Sequence, residues 1–221
     1  MLWSLVTVLL FFVVLFTFCA DEITAFLLRD INALTGGVVY TAIAEVWTTK
    51  LKVVLMAAFI CAFPFITFYL WRFLAPALYP HEKKIIAVTF LAAVLLFVLG
   101  VLFAFFVVVP FTLKFFITFG EGTADAMLTV SKYVSFLLGF TVPFGFVFLL
   151  PVAVYLLTKL GLFHAGILVK TRKYVLVLLL ILAAILTPPD VVSQLALFLP
   201  MMVLWEVGIV IAKHTKPLRP R

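Results

Sequence analysis

Six long apolar stretches, separated by shorter polar ones, make up most of the sequence. We predict a membrane-spanning helix in each, because about 20 apolar residues rising ~1.5 Å each cross a hydrocarbon core of ~30 Å. The predicted spans are residues 2–20, 51–71, 85–113, 134–158, 174–187 and 194–212. No stretch shows the alternation of a barrel strand. The pattern therefore predicts an all-α polytopic membrane protein with a single integral membrane domain over residues 1–221.

The predicted spans differ in length. A straight helix over residues 85–113 would be roughly 43 Å long, whereas residues 174–187 would reach only roughly 21 Å, less than the hydrocarbon core. Because Pro188-Pro189-Asp190 follows this short span, we expect spans five and six to form a hairpin that does not reach fully across. Prolines in the spans predict bends and a curved, concave bundle. They are Pro64, Pro110, Pro143, Pro151 and Pro200.

Residues 21–35, between the first two spans, have the pattern of a short amphipathic helix. Asp21 and Glu22 suit the N-cap and the first turn, and Gly36-Gly37 ends the pattern. The apolar positions at helical spacing are Ile23, Phe26, Leu27, Ile31 and Leu34. We predict a helix at the membrane surface, and its simplest use is to cap the bundle.

Composition agrees with this class of protein. The chain is 67% hydrophobic and 11% charged, and its mean hydropathy of +1.36 excludes an ordinary soluble domain. The first span is longer than the apolar region of a secretory signal peptide, and no basic segment precedes it. We therefore do not expect it to be cleaved.

The net charge of +7 would suit a nucleic-acid partner, but the basic residues follow the membrane topology instead. With six spans, both termini lie on one side, and the segments on that side hold 11 of the 16 basic residues. The positive-inside rule places this side in the cytoplasm. We therefore predict cytoplasmic termini and no nucleic-acid partner.

Enzyme signatures are missing from the sequence. It has no His-Glu-x-x-His, Gly-x-Ser-x-Gly or phosphate-loop motif. His81, His164 and His214 all fall at predicted cytoplasmic helix ends, where a solvated histidine is the simplest interpretation. Cys19 and Cys61 lie in predicted spans and are interpreted as small apolar residues. We predict no enzymatic activity, no metal and no cofactor.

Three polar residues near the last two spans remain open between structural and functional roles. Glu206 falls inside a predicted span, and no cationic partner is expected at its depth, so it is either a structural acid that snorkels or hydrogen-bonds, or a functional one. Asp190 is placed to N-cap the sixth helix. Gln194, one turn further on, would face whatever covers the short hairpin.

Three motifs carry a family resemblance: "FLAPALYPHEKK", "LTPPDVVSQ" and "PMMVLWEVG". In order and spacing they resemble the TatC family, the large membrane subunit of the twin-arginine protein translocase. The resemblance implies a glove-like six-helix scaffold in a bacterial or archaeal cytoplasmic membrane, with short fifth and sixth helices. It also implies binding of twin-arginine signal peptides of folded precursors, assembly with single-span TatA- and TatB-type subunits and with further copies of the chain, and transport driven by the proton-motive force without nucleotide.

The resemblance also implies roles for particular residues. The family's signal-peptide acid falls on Glu82, and a nearby aromatic falls on Phe73. Thr187 and Gln194 match polar positions that contact the TatB or TatA helix. Family members usually begin with a His-Leu-x-Glu-Leu-Arg-like segment, whereas this sequence begins at Met1-Leu2-Trp3, so that half of the receptor is expected to be missing. Leu149-Leu150 stands where the family commonly has a polar residue.

Two other functions remain as alternatives. A membrane scaffold could organise other subunits without recognising signal peptides. A small-solute transporter should show paired intramembrane charges or helices broken at the midplane, and the sequence offers only Glu206 in that role. From the residues alone, Glu82 could equally neutralise Lys83 and Lys84.

Overall fold

The computed structural model describes residues 2–35, 39–40, 42–75, 80–120, 129–186 and 191–215. The helices of this part of the chain are α1 (Leu2–Phe18), α2 (Ala20–Thr35), α3 (Ile43–Leu74), α4 (Pro80–Phe103), a π-helical turn (Ala104–Val108), α5 (Val109–Gly120), α6 (Val130–Val147), α7 (Leu150–Lys159), α8 (Ala165–Lys170), α9 (Arg172–Leu186) and α10 (Val191–His214). Within the described ranges, extended backbone pairs only at an isolated bridge between Val39 and Thr129. The predicted all-α class is confirmed.

Four helical stretches among the described residues are long and apolar enough to cross a membrane. They are Ala44–Phe73, Ile85–Thr118, Val130–Lys159 and Val191–His214. A fifth stretch arises if Trp3–Phe18 and Ala20–Arg29 are taken together, although the chain bends by 73° between them. Helix α9 has 15 residues, fewer than the roughly 20 that a straight span needs, and it contains most of the predicted short fifth span.

Helix α2 follows the predicted amphipathic pattern, with Asp21 and Glu22 in its first turn. Leu27 and Ile31 are buried on its inner face. Phe26 was assigned to the same apolar face, but its side chain is 59% exposed. The helix therefore buries a narrower face than the sequence pattern indicates.

The prolines act differently from one helix to the next. Pro64, Pro143 and Pro200 lie inside helices α3, α6 and α10. Pro110 follows the π-helical turn, where the missing proline N–H leaves the usual ladder incomplete. Pro151 stands in the first turn of α7, just after the helix break at residues 148–149, a position that suits its fixed φ and absent donor.

The chain divides into two compact units by its internal contacts: residues 1–69 with 113–139, and residues 70–112 with 140–221. The first unit buries Ile31, Val53, Val130 and Val134 almost completely. In this unit the Tyr133 hydroxyl donates to the Leu27 carbonyl at 3.1 Å. That bond ties the buried face of α2 to α6.

The second unit has an aromatic core where α4 crosses α6. Phe97, Phe140 and Phe144 are almost fully buried there. A Cβ atom on Gly100 would lie 2.6 Å from the Phe144 carbonyl oxygen, and one on Gly145 would lie 2.6 Å from the Phe97 ring. Both glycines therefore permit a close helix crossing that a side chain would prevent.

Large apolar side chains are also exposed on the outside of the helices. On α4, Leu91, Leu95 and Leu99 are about three-fifths exposed, whereas Phe97 on the same helix is fully buried. Exposed apolar stripes of this kind are costly in water and are expected of helices that face lipid hydrocarbon.

Candidate functional site

The first motif runs from the end of α3 into the start of α4, and these residues belong to the second unit. Phe73 lies near the end of α3, and its side chain is 64% exposed. Glu82 is the third residue of α4, which begins at Pro80. The structure describes the backbone of Glu82 and not its side chain, and residues 76–79 lie outside the described part of the chain.

The start of α4 lies beside the ends of two other helices of the same unit. Ile85 of α4, Tyr155 of α7 and Ile211 of α10 line one apolar groove. Each of these residues lies within a turn or so of basic residues at its helix end: Lys83, Lys159 and Lys213. Glu82 therefore belongs to a helix end on the same side of the second unit as these three lysines.

Helices α9 and α10 are linked by polar contacts at two levels. Near the start of α9, the Arg172 guanidinium pairs with the Glu206 carboxylate through its Nε and Nη2 groups. Further along, the Gln194 side-chain amide donates to the Leu180 carbonyl at 3.2 Å. The short helix α9 is thus tied to α10 over much of its length.

The Arg172 contact corrects one expectation. Glu206 does have a cationic partner, because α9 begins at Arg172, which the sequence pattern had placed in a loop. The hydrogen bond to Glu206 raises the pKa of Arg172 above its usual value, so the guanidinium stays charged. Among the sequence-selected residues of this hairpin, Thr187 and Asp190 lie outside the described residues.

Glu45 is a further organising residue, and it lies before the predicted span over residues 51–71. Its Oε2 atom accepts the Ala42 N–H at 3.3 Å, and its Oε1 atom accepts the Ser131 N–H at 3.1 Å. One carboxylate therefore binds backbone donors at the N-termini of both α3 and α6 in the first unit. Its position three residues after Ala42 matches the acid of a capping box, but alanine stands where the Ser or Thr of that signature belongs.

No group of three or more His, Cys, Asp or Glu side chains in the described ranges could hold a metal ion. His164 directly precedes α8, and His214 ends α10 with its Nδ1 atom 2.9 Å from the Val210 carbonyl. These positions are at helix ends, as predicted. The arrangement offers charged and apolar surfaces for binding, and the polar contacts around Glu45 and Glu206 serve to join helices.

Comparison with known proteins identifies the family of the chain. Residues 1–200 match the family model described as Sec-independent protein translocase protein (TatC). The chain belongs to the TatC family. It is 44% identical over 198 residues to the Sec-independent protein translocase protein TatC of Carboxydothermus hydrogenoformans, covering 89% of this chain and 82% of that relative. The corresponding protein of Halothiobacillus neapolitanus is 35% identical over 216 residues, which cover 96% of this chain and 59% of that protein.

A solved structure of the TatC family supports the same assignment. The crystal structure of a twin arginine translocase receptor, TatC, superposes with a TM-score of 0.87 at 33% sequence identity. The likeness covers 96% of this chain and 95% of that one. The predicted family is confirmed: the protein is a multi-pass membrane subunit of a protein translocase and not an enzyme.

Proposed function

We propose that this TatC-family protein is the receptor subunit of a twin-arginine translocase and binds the signal peptides of folded precursor proteins. The match of the chain to a solved TatC receptor over 96% of its length carries the proposal. The motif "FLAPALYPHEKK" adds the position of the acid, since Glu82 stands where the family's signal-peptide acid is expected.

Glu82 supplies specificity for arginine in this proposal. A guanidinium group donates two parallel hydrogen bonds to a carboxylate, a geometry that the ammonium group of lysine does not reproduce. The acid lies in the first turn of α4, where the helix macrodipole favours its ionised form. Phe73, exposed near the end of α3, offers an aromatic face for the same segment.

Apolar contacts supply most of the affinity. An exposed ion pair contributes only ~0–1 kcal/mol, which is too little to retain a signal peptide. Burial of the peptide's apolar stretch against the helices contributes ~25 cal/mol per Å² relative to water. Binding therefore combines a weak, selective polar contact with a strong, unselective apolar one.

The rest of the assembly follows from the same proposal. Both termini lie in the cytoplasm, so the Glu82 turn faces precursors before transport, and the proton-motive force drives export without nucleotide. TatA- or TatB-type single-span helices pack beside Thr187 and Gln194, and further copies of the chain join the complex. The contact between Gln194 and Leu180 supports this role by fixing the end of the short hairpin against which such a helix would lie.

Site-specific photocrosslinking tests the receptor role. A photoreactive residue at position 73, in a protein that keeps Glu82, should crosslink severalfold more to a precursor with an arginine pair than to the same precursor with a lysine pair. Glu82→Gln should reduce the yield from position 73 by up to about fivefold, the equivalent of ~1 kcal/mol, while leaving membrane insertion intact. The control is Glu22→Gln, which neutralises an exposed acid on α2. Equal yields from both precursors would reject the proposal.

Crosslinking also tests the partner helices. A probe at position 194 should capture a single-span subunit, whereas a probe at Leu91, an exposed apolar residue of α4, should capture lipid only. Capture at position 91 and not at position 194 would place the partner on a different face.

A further inference from the structure

An apolar groove of about 520 Å³ lies between α4, α7 and α10 in the second unit. Its volume falls within the ~300–1,000 Å³ of pockets that hold small molecules. The walls on α4 come from Ile85, Val88, Thr89, Ala92 and Leu96, which recur at helical spacing. The opposite walls come from Pro151, Val152 and Tyr155 of α7 and Ile211 of α10.

The groove is built for an apolar occupant. Thr89 is a polar lining residue, but its hydroxyl donates to the Ile85 carbonyl of its own helix at 2.9 Å. Tyr155 of α7 contributes a phenol ring to the opposite wall. Since the groove opens on helices that face hydrocarbon, its surroundings in the membrane are acyl chains and not water.

Positive charge gathers at one end of this groove. Lys83 lies two residues before Ile85, Lys159 four residues after Tyr155, and Lys213 two residues after Ile211. At ~1.5 Å per residue, each lies within about 6 Å of the groove end along its helix axis. The side chains of Lys83 and Lys213 are exposed. In the sequence, Lys84 and the acid Glu82 stand on either side of Lys83.

We propose that this groove is a binding site for one anionic phospholipid, with an acyl chain between α4, α7 and α10 and the headgroup phosphate among Lys83, Lys159 and Lys213. Lipid tails are as apolar as the groove wall, so the chain alone gives little preference over bulk lipid. The lysines supply the preference for an anionic headgroup. A peptide segment that carries arginines is a poorer occupant, because it would bring further positive charge to the same end.

The site has a consequence for the neighbouring turn, and this consequence alone rests on the proposed function. Lys83 and Lys84 directly follow Glu82 and repel an approaching arginine pair. A bound anionic headgroup would neutralise part of that field. The lipid would then act as a component of the receptor surface.

Lipid binding is measured on the full-length protein in detergent, by native mass spectrometry during titration with dioleoylphosphatidylglycerol or dioleoylphosphatidylcholine. We expect the first phosphatidylglycerol to bind at least fivefold more tightly than phosphatidylcholine. Ala92→Trp fills the groove and should abolish this preferred site. Its matched control, Leu91→Trp, places the same ring on the adjacent exposed residue, which does not line the groove, and should bind as the wild type does.

A second pair of variants separates headgroup from chain. Lys159→Gln combined with Lys213→Gln should weaken phosphatidylglycerol at least fivefold and leave phosphatidylcholine unchanged, without filling the groove. Equal binding of the two lipids by the wild type, or an unchanged preference in both Ala92→Trp and the double lysine variant, would overturn the proposal. So would efficient crosslinking of a precursor's apolar stretch from position 88 in lipid-replete membranes, because the peptide would then occupy the groove. Failure of precursor recognition with lipid binding intact would count against the proposed function alone.

Discussion

Arg172 and Glu206 form a two-pronged ion pair between the start of α9 and the last turns of α10, with Nε facing Oε1 and Nη2 facing Oε2. The two side chains are 50% and 33% exposed. A planar guanidinium suits this geometry better than an ammonium group does. The pair holds together two helices of which one is too short to span by itself.

A double-mutant cycle measures this pair. Arg172→Ala and Glu206→Ala should each lower the melting temperature in detergent, and the double variant should be less destabilised than their sum predicts, with a coupling energy of about 1 kcal/mol. Arg172→Lys should retain part of the coupling energy, because it keeps the positive charge but cannot form the two parallel contacts of the guanidinium group. Lys173→Ala, at the exposed neighbouring position, is the control. Additive effects would show that the two residues do not stabilise one another.

The close crossing of α4 and α6 gives a second prediction, in which a Gly→Ala substitution lowers the stability instead of raising it. Gly→Ala inside a helix ordinarily stabilises by roughly 0.5–1 kcal/mol. At Gly100 the new methyl group would meet the Phe144 carbonyl oxygen and Phe148 within 3 Å, so Gly100→Ala should instead destabilise by about 1–3 kcal/mol. Thermal unfolding in detergent measures the change.

Two further glycines complete that series. Gly145→Ala should cost less than Gly100→Ala, because its methyl group meets the Phe97 ring and a side chain can shift further than a backbone carbonyl can. Gly166→Ala is the control, since no atom lies within 4 Å of its added Cβ. Equal melting temperatures for the Gly100 and Gly166 variants would contradict the close crossing.

The capping role of Glu45 gives a third prediction. Glu45→Ala removes the acceptors of the Ala42 and Ser131 N–H groups, and each lost cap should cost about 1 kcal/mol. Glu45→Gln keeps one acceptor oxygen and should lie between alanine and wild type. Hydrogen exchange at the Ser131 amide should accelerate in both variants. Glu22→Ala, at an exposed first-turn acid of α2, should leave that amide unchanged.

Periodicity and hydropathy identified the parts of the fold that depend on local sequence. The amphipathic pattern of residues 21–35 became α2, and the short apolar stretch after Arg172 became the 15-residue helix α9. Both follow from the 3.6-residue repeat and from the length of an apolar run. Phe26 belongs to the apolar face of that pattern and is 59% exposed, because how much of an apolar face is buried depends on what packs against it.

Contacts between distant segments could not be predicted in this way. Arg172 and Glu206 are 34 residues apart, and Glu45 and Ser131 are 86 apart. Neither pairing can be recognised from the pattern of neighbouring residues in the sequence. The crossing at Gly100 and Gly145 lacks a Gly-x-x-x-Gly pair because each helix contributes one glycine. For the candidate site, the family resemblance selected Glu82 and Phe73. The apolar groove could not be predicted from the sequence, because it forms only where α4, α7 and α10 meet.

The orientation of the chain gives the last prediction. The predicted six-span topology puts 11 of the 16 basic residues on the side of the termini. Lys83→Cys and Lys213→Cys should therefore be shielded from a membrane-impermeant maleimide in intact cells, while Glu22→Cys should react. All three should react after permeabilisation, which controls for accessibility. The background needs alanine in place of Cys19 and Cys61, because both are free thiols. Labelling of position 83 in intact cells would place the Glu82 turn outside, away from cytoplasmic precursors, and the receptor proposal would fail with it.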